Sequence, residues 1–391
     1  MRLWFTALST RQRIWLFGAV VVMLAIVGFG VIASPAGDKK DAAGFSVEMS
    51  ISEIAPSLNV TGKAFARELN LPLDVSKQKP LKDLGISPEE LEHAAEHLLS
   101  HEDSMLKYYL YAALVLGGLV FLARLGRPDN SGIEQRGQWY PRAPYIVFLV
   151  ISAVAAGFLL GKSPNPMEGV VKVFKSMVGL YPDPAAKTVA FIFFIALAII
   201  GNKMICGWAC PFGSLQEIVY SIPVLRSIKR RKIPFVLTNT IRAALFIVVL
   251  LFLFGVVGGR RGMVIYHYVN PFNLFTPDIA TLSLLLTIII ALLGSLIVYR
   301  PFCQFVCPFG FVSWMAEHLS LIRVRVDHDR CTQCGACIRA CPLEVAKGRV
   351  ERRILKADCF SCARCLNVCP VDAIHYESVF TGASKAHTEE I

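Results

Sequence analysis

Six long apolar segments recur along the 391-residue chain. Each is close to the ~20 residues that a helix needs to cross the hydrocarbon core of a bilayer. They span residues 14–33, 107–124, 143–161, 187–205, 236–257 and 281–299. With 54% hydrophobic residues, the chain is also too apolar for an ordinary soluble protein. The sequence therefore predicts a mainly α-helical, polytopic bundle of about six spans in contact with membrane lipid.

The basic residues between these segments predict how the bundle is oriented. Lysines and arginines cluster before the first segment, after the second and after the fourth, as in residues 226–232. Cytoplasmic loops carry an excess of Lys and Arg, so we expect these stretches, and with six spans the C-terminus, in the cytoplasm. This bias also accounts for the formal net charge of +11. No nucleic-acid recognition motif accompanies the charge, and we expect no nucleic-acid partner.

The apolar and polar stretches divide the chain into five predicted parts. The first apolar run exceeds the 7–15 residues usual in a cleaved signal peptide, which favours an uncleaved anchor. The parts are an N-terminal anchor helix (1–34), a small extracytoplasmic helical domain (35–106), the transmembrane bundle (107–319), a second soluble domain (320–376) and a tail (377–391). Within the second part, Ser87-Pro88 is typical of a helix start.

All twelve cysteines fall into tight motifs, which is typical of metal ligation in a reducing compartment and not of a disulfide framework. In the C-terminal domain the pattern Cys-x-x-Cys-x-x-Cys-x-x-x-Cys-Pro occurs twice, beginning at Cys331 and at Cys359. A zinc ribbon uses two Cys-x-x-Cys pairs, whereas this longer run is typical of 4Fe–4S binding. The motifs predict an α+β, bacterial-type ferredoxin domain with two 4Fe–4S clusters.

The fourth ligand of each cluster is expected to come from the other repeat, so that each half completes the other's site. One predicted cluster is bound by Cys331, Cys334, Cys337 and Cys369. The other is bound by Cys359, Cys362, Cys365 and Cys341. Two clusters that share their ligand loops in this way lie close together, and we expect a short electron relay.

A second pair of motifs follows the fourth and the sixth apolar segments. Each reads basic-x-x-Cys-x-x-x-Cys-Pro-Phe-Gly, beginning at Lys203 and at Arg300. The cysteines are Cys206, Cys210, Cys303 and Cys307. Asn-Pro pairs at Asn165 and Asn270 occupy corresponding positions before the fourth and the sixth apolar segments. We expect both pairs on the far side of the bundle. The repeats predict a duplicated membrane unit with pseudo-symmetry.

Three interpretations of these four membrane cysteines remain open. Cysteines at i and i+4 on one helix face could converge with the second pair to bind a third cluster or a metal, with the preceding Lys and Arg favouring thiolates. The pairs could instead perform thiol–disulfide chemistry, or pack as small apolar side chains. The duplication favours a metal or cluster site.

Two weaker patterns each allow a functional and a purely structural interpretation. Three histidines recur every four residues and predict either a transition-metal site or a solvated helix face: His93, His97 and His101. An aromatic group precedes the second Asn-Pro pair: Tyr266, His267 and Tyr268. It predicts either a hydrogen-bond donor for a quinone carbonyl or an interfacial aromatic belt.

This combination of motifs resembles the NapH-type membrane polyferredoxins, which include the NosR and CcoG branches. The shared features are the two Cys-x-x-x-Cys-Pro pairs and the twin cluster motifs, within residues 140–375. The resemblance implies an oxidoreductase subunit of quinol dehydrogenase type, in a bacterial inner (cytoplasmic) membrane, with its ferredoxin domain cytoplasmic. It also implies electron exchange between the quinone pool and a redox partner protein, as one subunit of a membrane complex.

Two other functions remain open beside electron transfer in a respiratory chain. Soft thiolates suit Cu(I), so the membrane cysteines could serve a copper-reducing or assembly factor. The clusters could alternatively report redox state to a partner, as in a redox-sensing regulator. Quinol-dependent cluster reduction would favour electron transfer over both.

Overall fold

The computed structural model describes most of the chain between residues 44 and 379. The described residues are 44–58, 60, 62–72, 75–102, 105–125, 143–179, 184–222, 229, 232–257, 266, 268–276, 282–352 and 358–379. The predicted anchor at 1–34 and most of the predicted tail lie outside these ranges, so both stay predictions.

A small helical unit precedes the first described membrane helix. It comprises α1 (Ile51–Ser57), α2 (Gly62–Glu68), a 3₁₀ turn (Leu81–Leu84) and α3 (Pro88–Glu102). The predicted start of α3 is confirmed by a capping box, since Glu90 N donates to Ser87 Oγ at 3.2 Å and Ser87 N donates to Glu90 Oε2 at 2.9 Å. The apolar core of this helical unit includes Ile51, Phe65, Leu81 and Leu91.

Nine helices follow in the described part of the bundle. They are α4 (Met105–Leu125), α5 (Ala143–Ile151, continued by a π-helix over Ser152–Leu159), α6 (Pro166–Met177), α7 (Pro184–Gly201), α8 (Pro211–Ser221), α9 (Phe235–Leu253), α10 (Leu282–Gly294), α11 (Pro301–Phe305) and α12 (Pro308–Glu317). Among them α4, α7 and α9 are long and apolar enough to cross a membrane, and α5 with its continuation and α10 are shorter apolar helices. Five predicted segments thus coincide with apolar helices, and the count of six spans stays a prediction.

The outward faces of these helices are apolar. Val236 is 66% exposed, Ile247 55% and Ile290 67%. Such a concentration of exposed aliphatic side chains along helices is a liability in water and is typical of contact with lipid. The fold is therefore that of a mainly helical membrane protein.

The two Asn-Pro pairs both cap helical turns. Asn165 Oδ1 accepts from Glu168 N at 2.9 Å and starts α6, and Asn270 Oδ1 accepts from Phe272 N at 3.1 Å and starts a 3₁₀ turn (Pro271–Phe275). The ring of Phe272 packs on Phe212 of the first Cys-Pro-Phe-Gly motif, with centroids 6.1 Å apart. This contact brings the segment after Asn270 against the first cysteine motif, and the far-side position of the two Asn-Pro pairs stays a prediction.

The C-terminal domain covers one end of the bundle. Strands β1 (Ile322–Val326) and β2 (Ile374–Ser378) pair antiparallel, and the short helices α13 (Ala336–Ala340), α14 (Val345–Val350) and α15 (Arg364–Val368) lie between them in sequence. Leu321 N donates to Ile199 O of α7 at 2.9 Å, and Phe235 N of α9 donates to Glu344 Oε2 at 3.0 Å. The domain therefore sits where α7 ends and α9 begins.

Candidate metal centres

Four ferredoxin cysteines line a pocket at the outer side of the C-terminal domain. They are Cys331, Cys334, Cys337 and Cys369, here called the outer group. The pocket has a volume of about 360 Å³. Cys334 is exposed and Cys331 half-buried. Cysteines of both repeats therefore meet around one pocket.

The other four ferredoxin cysteines line a second pocket, of about 540 Å³. They are Cys341, Cys359, Cys362 and Cys365, here called the inner group. Cys337 of the outer group lines this pocket too, so the two groups are neighbours. Burial raises the pKa of the Cys359 thiol to about 12, so a cation beside the sulfur would be required to favour the thiolate form.

The two cysteine loops share an unusual backbone conformation. Gln333 and Gly335 in the first repeat, and Ser361 and Ala363 in the second, have positive φ angles between 50° and 70°. Left-handed residues are costly outside glycine, so their recurrence at equivalent positions indicates a specific requirement. Such residues let a loop wrap its backbone around a central group, as a cluster-binding loop must.

The donor sets fit 4Fe–4S clusters. Across the residues that the structure describes, no group of three or more His, Cys, Asp or Glu side chains is arranged to hold one metal ion. The thiolates of a 4Fe–4S cluster each bind a different iron, so their sulfurs need not converge on one point. Four thiols around each pocket are the donor set that a 4Fe–4S cluster requires.

The four membrane cysteines also come together. Cys206, Cys210, Cys303 and Cys307, here called the membrane group, are all buried. Cys210 and Cys307 both lie close enough to Cys303 and Cys206 for electrostatic interaction. The two halves of the duplicated unit therefore contribute a pair of thiols each to one site.

The pairs do not lie on one helix face, which corrects the expectation from their i, i+4 spacing. Cys206 lies in a π-helical turn (Ile205–Ala209), and Cys210 precedes α8 with extended angles, φ −74° and ψ 116°. In the second half Cys303 lies in α11 and Cys307 precedes α12 with φ −65° and ψ 119°. The residue before a proline is driven out of the helical conformation, so Pro211 and Pro308 break the helix at the second cysteine.

An arginine approaches each half from outside its own motif. Arg300 donates to the carbonyl of Cys206, and Arg242 Nη1 donates to Cys303 O at 3.2 Å. The glycine of each Cys-Pro-Phe-Gly motif leaves room for these contacts. A Cβ on Gly213 would lie 2.8 Å from Cys206 O, and one on Gly310 would lie 2.6 Å from Cys303 O. The motif glycine is required for close packing in both halves.

The residue ten positions after the first cysteine of each half contacts the first cysteine of the other half. Gln216 Nε2 donates to Cys303 Sγ at 3.3 Å, and Ser313 Oγ lies 3.9 Å from Cys206 Sγ. Gln216 Oε1 also accepts from Phe302 N at 3.0 Å, which fixes the amide. These crossed contacts were not predicted from the sequence, although the equal spacing from Cys206 and Cys303 is visible in it.

Both motif cations, Lys203 and Arg300, are buried and paired. Lys203 forms an ion pair with Asp358, whose other oxygen lies 3.5 Å from Arg242 Nη1. Arg300 Nε donates to Glu217 Oε2 at 2.9 Å, and Arg364 Nη2 donates to Glu217 Oε1 at 2.6 Å. Buried charges are retained when paired in this way. Sequence analysis missed both carboxylates and Arg242.

The weaker candidate residues are only partly described. His93 is exposed on α3, whereas the side chains of His97 and His101 lie outside the described residues, as does His267. Tyr266 is buried near Cys307, and its hydroxyl has no hydrogen-bond partner among the described residues. Tyr268 is 50% exposed. The aromatic group therefore places a buried phenol beside the membrane group.

Three family models match parts of the chain. A 4Fe-4S binding domain matches residues 188–233, which contain the first membrane pair. Two 4Fe-4S dicluster domains match residues 324–376 and 301–345, and the second of these contains the other membrane pair. No solved structure matches the chain.

Several curated relatives are similar over about half of the chain. An uncharacterized protein of Methanocaldococcus jannaschii is 28% identical over 51% of this chain and 72% of its own length. The methylamine utilization ferredoxin-type protein MauN of Methylorubrum extorquens is 28% identical over 50% of this chain and 66% of its own. The ferredoxin-type protein NapH of Haemophilus influenzae is 28% identical over 51% of this chain and 68% of its own. Together with the 4Fe-4S domains, these relatives confirm the resemblance of the chain to the NapH-type polyferredoxins.

Proposed function

We propose that the chain is a membrane-bound iron–sulfur protein that exchanges electrons between the quinone pool and a redox partner in a respiratory chain. One observation carries the proposal: the cysteines gather in three groups of four, Cys337 lines both ferredoxin pockets, and Gly207 beside Cys206 packs on Phe360 beside Cys359. The ferredoxin-type relatives support the electron-transfer role. A chain of redox centres from the membrane to an exposed surface is what such a role needs.

The cysteines of the outer and inner groups are proposed to bind one 4Fe–4S cluster each, and those of the membrane group a third. A bound 4Fe–4S cluster supplies one-electron oxidation and reduction at a potential set by its surroundings. Lys203 and Arg300 offset the negative charge of the thiolates of the membrane group. Gln216, through its hydrogen bond to Cys303 Sγ, orients one of these ligands.

Tyr266 is the proposed contact for quinone. Its buried hydroxyl has no partner among the described residues and lies near Cys307. A buried phenol that lacks a partner is costly, and a quinone oxygen would satisfy it. The apolar outer faces of α9 and α10 give a lipid-soluble quinone access to the bundle.

The redox partner is proposed to approach the outer group, where Cys334 is exposed. We place the bundle in a bacterial inner membrane. The ferredoxin domain would lie in the cytoplasm, because Lys and Arg concentrate before the first, after the second and after the fourth apolar segments, and cytoplasmic loops carry an excess of these residues. The chain would then be the membrane subunit of a larger redox complex.

Iron and acid-labile sulfide analysis of anaerobically purified protein tests this proposal. Wild type is expected to hold about twelve irons per chain, and Cys206→Ser with Cys303→Ser about eight, given four irons per cluster. Addition of a quinol should reduce the clusters, seen by electron paramagnetic resonance. Fusion of green fluorescent protein after Ile391 should give fluorescent cells if the C-terminus is cytoplasmic.

Other results would overturn it. Iron-free protein would remove the electron-transfer role altogether. Copper bound in place of a third cluster, and lost from Cys206→Ser, would favour the metal-handling function instead. Clusters that quinol leaves oxidised would argue against the quinone pool as the reaction partner.

A further inference from the structure

The loop that carries two inner-group cysteines lies directly on the first membrane motif. A Cβ atom on Gly207 would lie 2.0 Å from the carbonyl oxygen of Phe360 and 3.1 Å from its carbonyl carbon. Gly207 follows Cys206, and Phe360 follows Cys359. The two backbones therefore touch at residues that adjoin ligands of two different groups, and only glycine allows this approach.

Hydrogen bonds from the first half of the membrane unit fix the loop. Trp208 Nε1 donates to Ser361 O at 3.0 Å, and Ser361 Oγ donates to Asn202 O at 2.9 Å. Tyr145 Oη donates to Gly207 O at 3.3 Å and so holds the turn in place. Since Trp208 and Ser361 are fully buried, these bonds exclude water from the contact.

The second half of the membrane unit holds the same loop. Glu317, at the end of α12, accepts from Cys359 N with both carboxylate oxygens at 3.1 Å. The first half adds an ion pair near each end of this loop: Lys203 pairs with Asp358, one residue before Cys359, and Glu217 of α8 pairs with Arg364 at the start of α15. Residues of both halves of the duplicated unit thus hold the loop of the inner group.

The outer group is placed differently. Cys331 and Cys334 are half-buried and exposed, whereas Cys359 is buried against the membrane motif. Among the cysteines that the structure describes, Cys337 alone lines both ferredoxin pockets. The outer group therefore meets the inner group on one side and solvent on the other.

We infer that electron exchange between the membrane group and the outer group runs through the inner group, across the Gly207–Phe360 contact. The inference rests on the proposed function and adds the order of the sites and the residues that set it. In each step one electron leaves a reduced site and enters its oxidised neighbour, and no bond forms or breaks. Gly207 acts as a positioning residue, because it sets the distance between two ligand loops.

Magnetic interaction between reduced sites tests the order in the full-length protein. Cys341→Ala should remove the site of the inner group, and Cys369→Ala the site of the outer group. A reduced neighbouring site broadens the paramagnetic signal of the membrane group. If the inner group is that neighbour, the broadening is lost in Cys341→Ala and kept in Cys369→Ala. The opposite pattern, or broadening kept in both variants, overturns the inference.

Gly207→Ala tests the contact itself. It should weaken the broadening and slow reduction of the ferredoxin sites by a quinol, with iron content unchanged. Gly44→Ala is the control, because a Cβ at Gly44 meets no atom within 4 Å. Unchanged broadening and rate in Gly207→Ala, with full iron, overturn the role of this contact. Absence of iron from the membrane group in wild type would instead refute the proposed function, so the two failures are distinct.

Discussion

Arg364 Nη2 donates to Glu217 Oε1 at 2.6 Å, and this buried ion pair joins the ferredoxin domain to the membrane bundle. Glu217 Oε2 also accepts from Arg300 Nε at 2.9 Å. One carboxylate therefore compensates two guanidinium groups, one from each side of the interface. Because Glu217 and Arg300 are fully buried, neither charge can turn to water if its partner is removed.

Glu217→Gln is expected to destabilise the protein by about 3–5 kcal/mol, since it leaves Arg300 and Arg364 buried without a counter-charge. The measurement is thermal unfolding of the detergent-solubilised protein. Glu351→Gln is the matched control, because the Lys347–Glu351 pair is partly exposed at 3.8 Å and is worth about 0–1 kcal/mol. Equal unfolding midpoints for the two variants would refute the role given to Glu217.

Cys369→Ala is expected to abolish the paramagnetic signal of the outer group and to leave that of the inner group. The reason is that Cys369 lines the outer pocket with the three cysteines of the first repeat. Cys365→Ala should have the converse effect, because Cys365 lines the inner pocket. Loss of the inner signal from Cys369→Ala would show that each repeat binds its own cluster.

The sequence predicted the cysteine groups but not the charges that surround them. Motif spacing alone assigned Cys369 to the first repeat, since ferredoxin loops exchange their fourth ligand. Glu217 and Arg364 are 147 positions apart, and Arg242 lies inside an apolar segment. Only the folded chain brings such residues together, and no local pattern marks them.

The expectation that the two cysteines of each membrane pair share a helix face was wrong, for a local reason that is visible in the sequence. Pro211 directly follows Cys210, and Pro308 directly follows Cys307. A residue before proline avoids the helical conformation, so the second cysteine of each pair had to leave the helix. The i, i+4 pattern was the wrong guide because these prolines outweigh it.

Gln216→Leu is expected to shift the reduction potential of the membrane group to more negative values. The amide of Gln216 donates to Cys303 Sγ at 3.3 Å, and a donor to ligand sulfur stabilises the more negative, reduced state. A redox titration followed by paramagnetic resonance measures the shift. Ser313→Ala is the pseudo-symmetric control, and its 3.9 Å contact with Cys206 Sγ should give a smaller shift. A larger shift from Ser313→Ala than from Gln216→Leu would contradict this assignment.

Tyr266→Phe is expected to slow reduction of the clusters by a quinol about tenfold, which corresponds to about 1.4 kcal/mol and to the loss of one hydrogen bond. The buried hydroxyl of Tyr266 has no partner among the described residues and lies near Cys307. Stopped-flow absorbance of the clusters gives the rate. Tyr268→Phe is the control, because Tyr268 is 50% exposed two positions along the same segment. If Tyr266→Phe keeps the wild-type rate with quinol while its iron content is full, the quinone does not bind at this phenol, and the hydroxyl faces the membrane group for another reason.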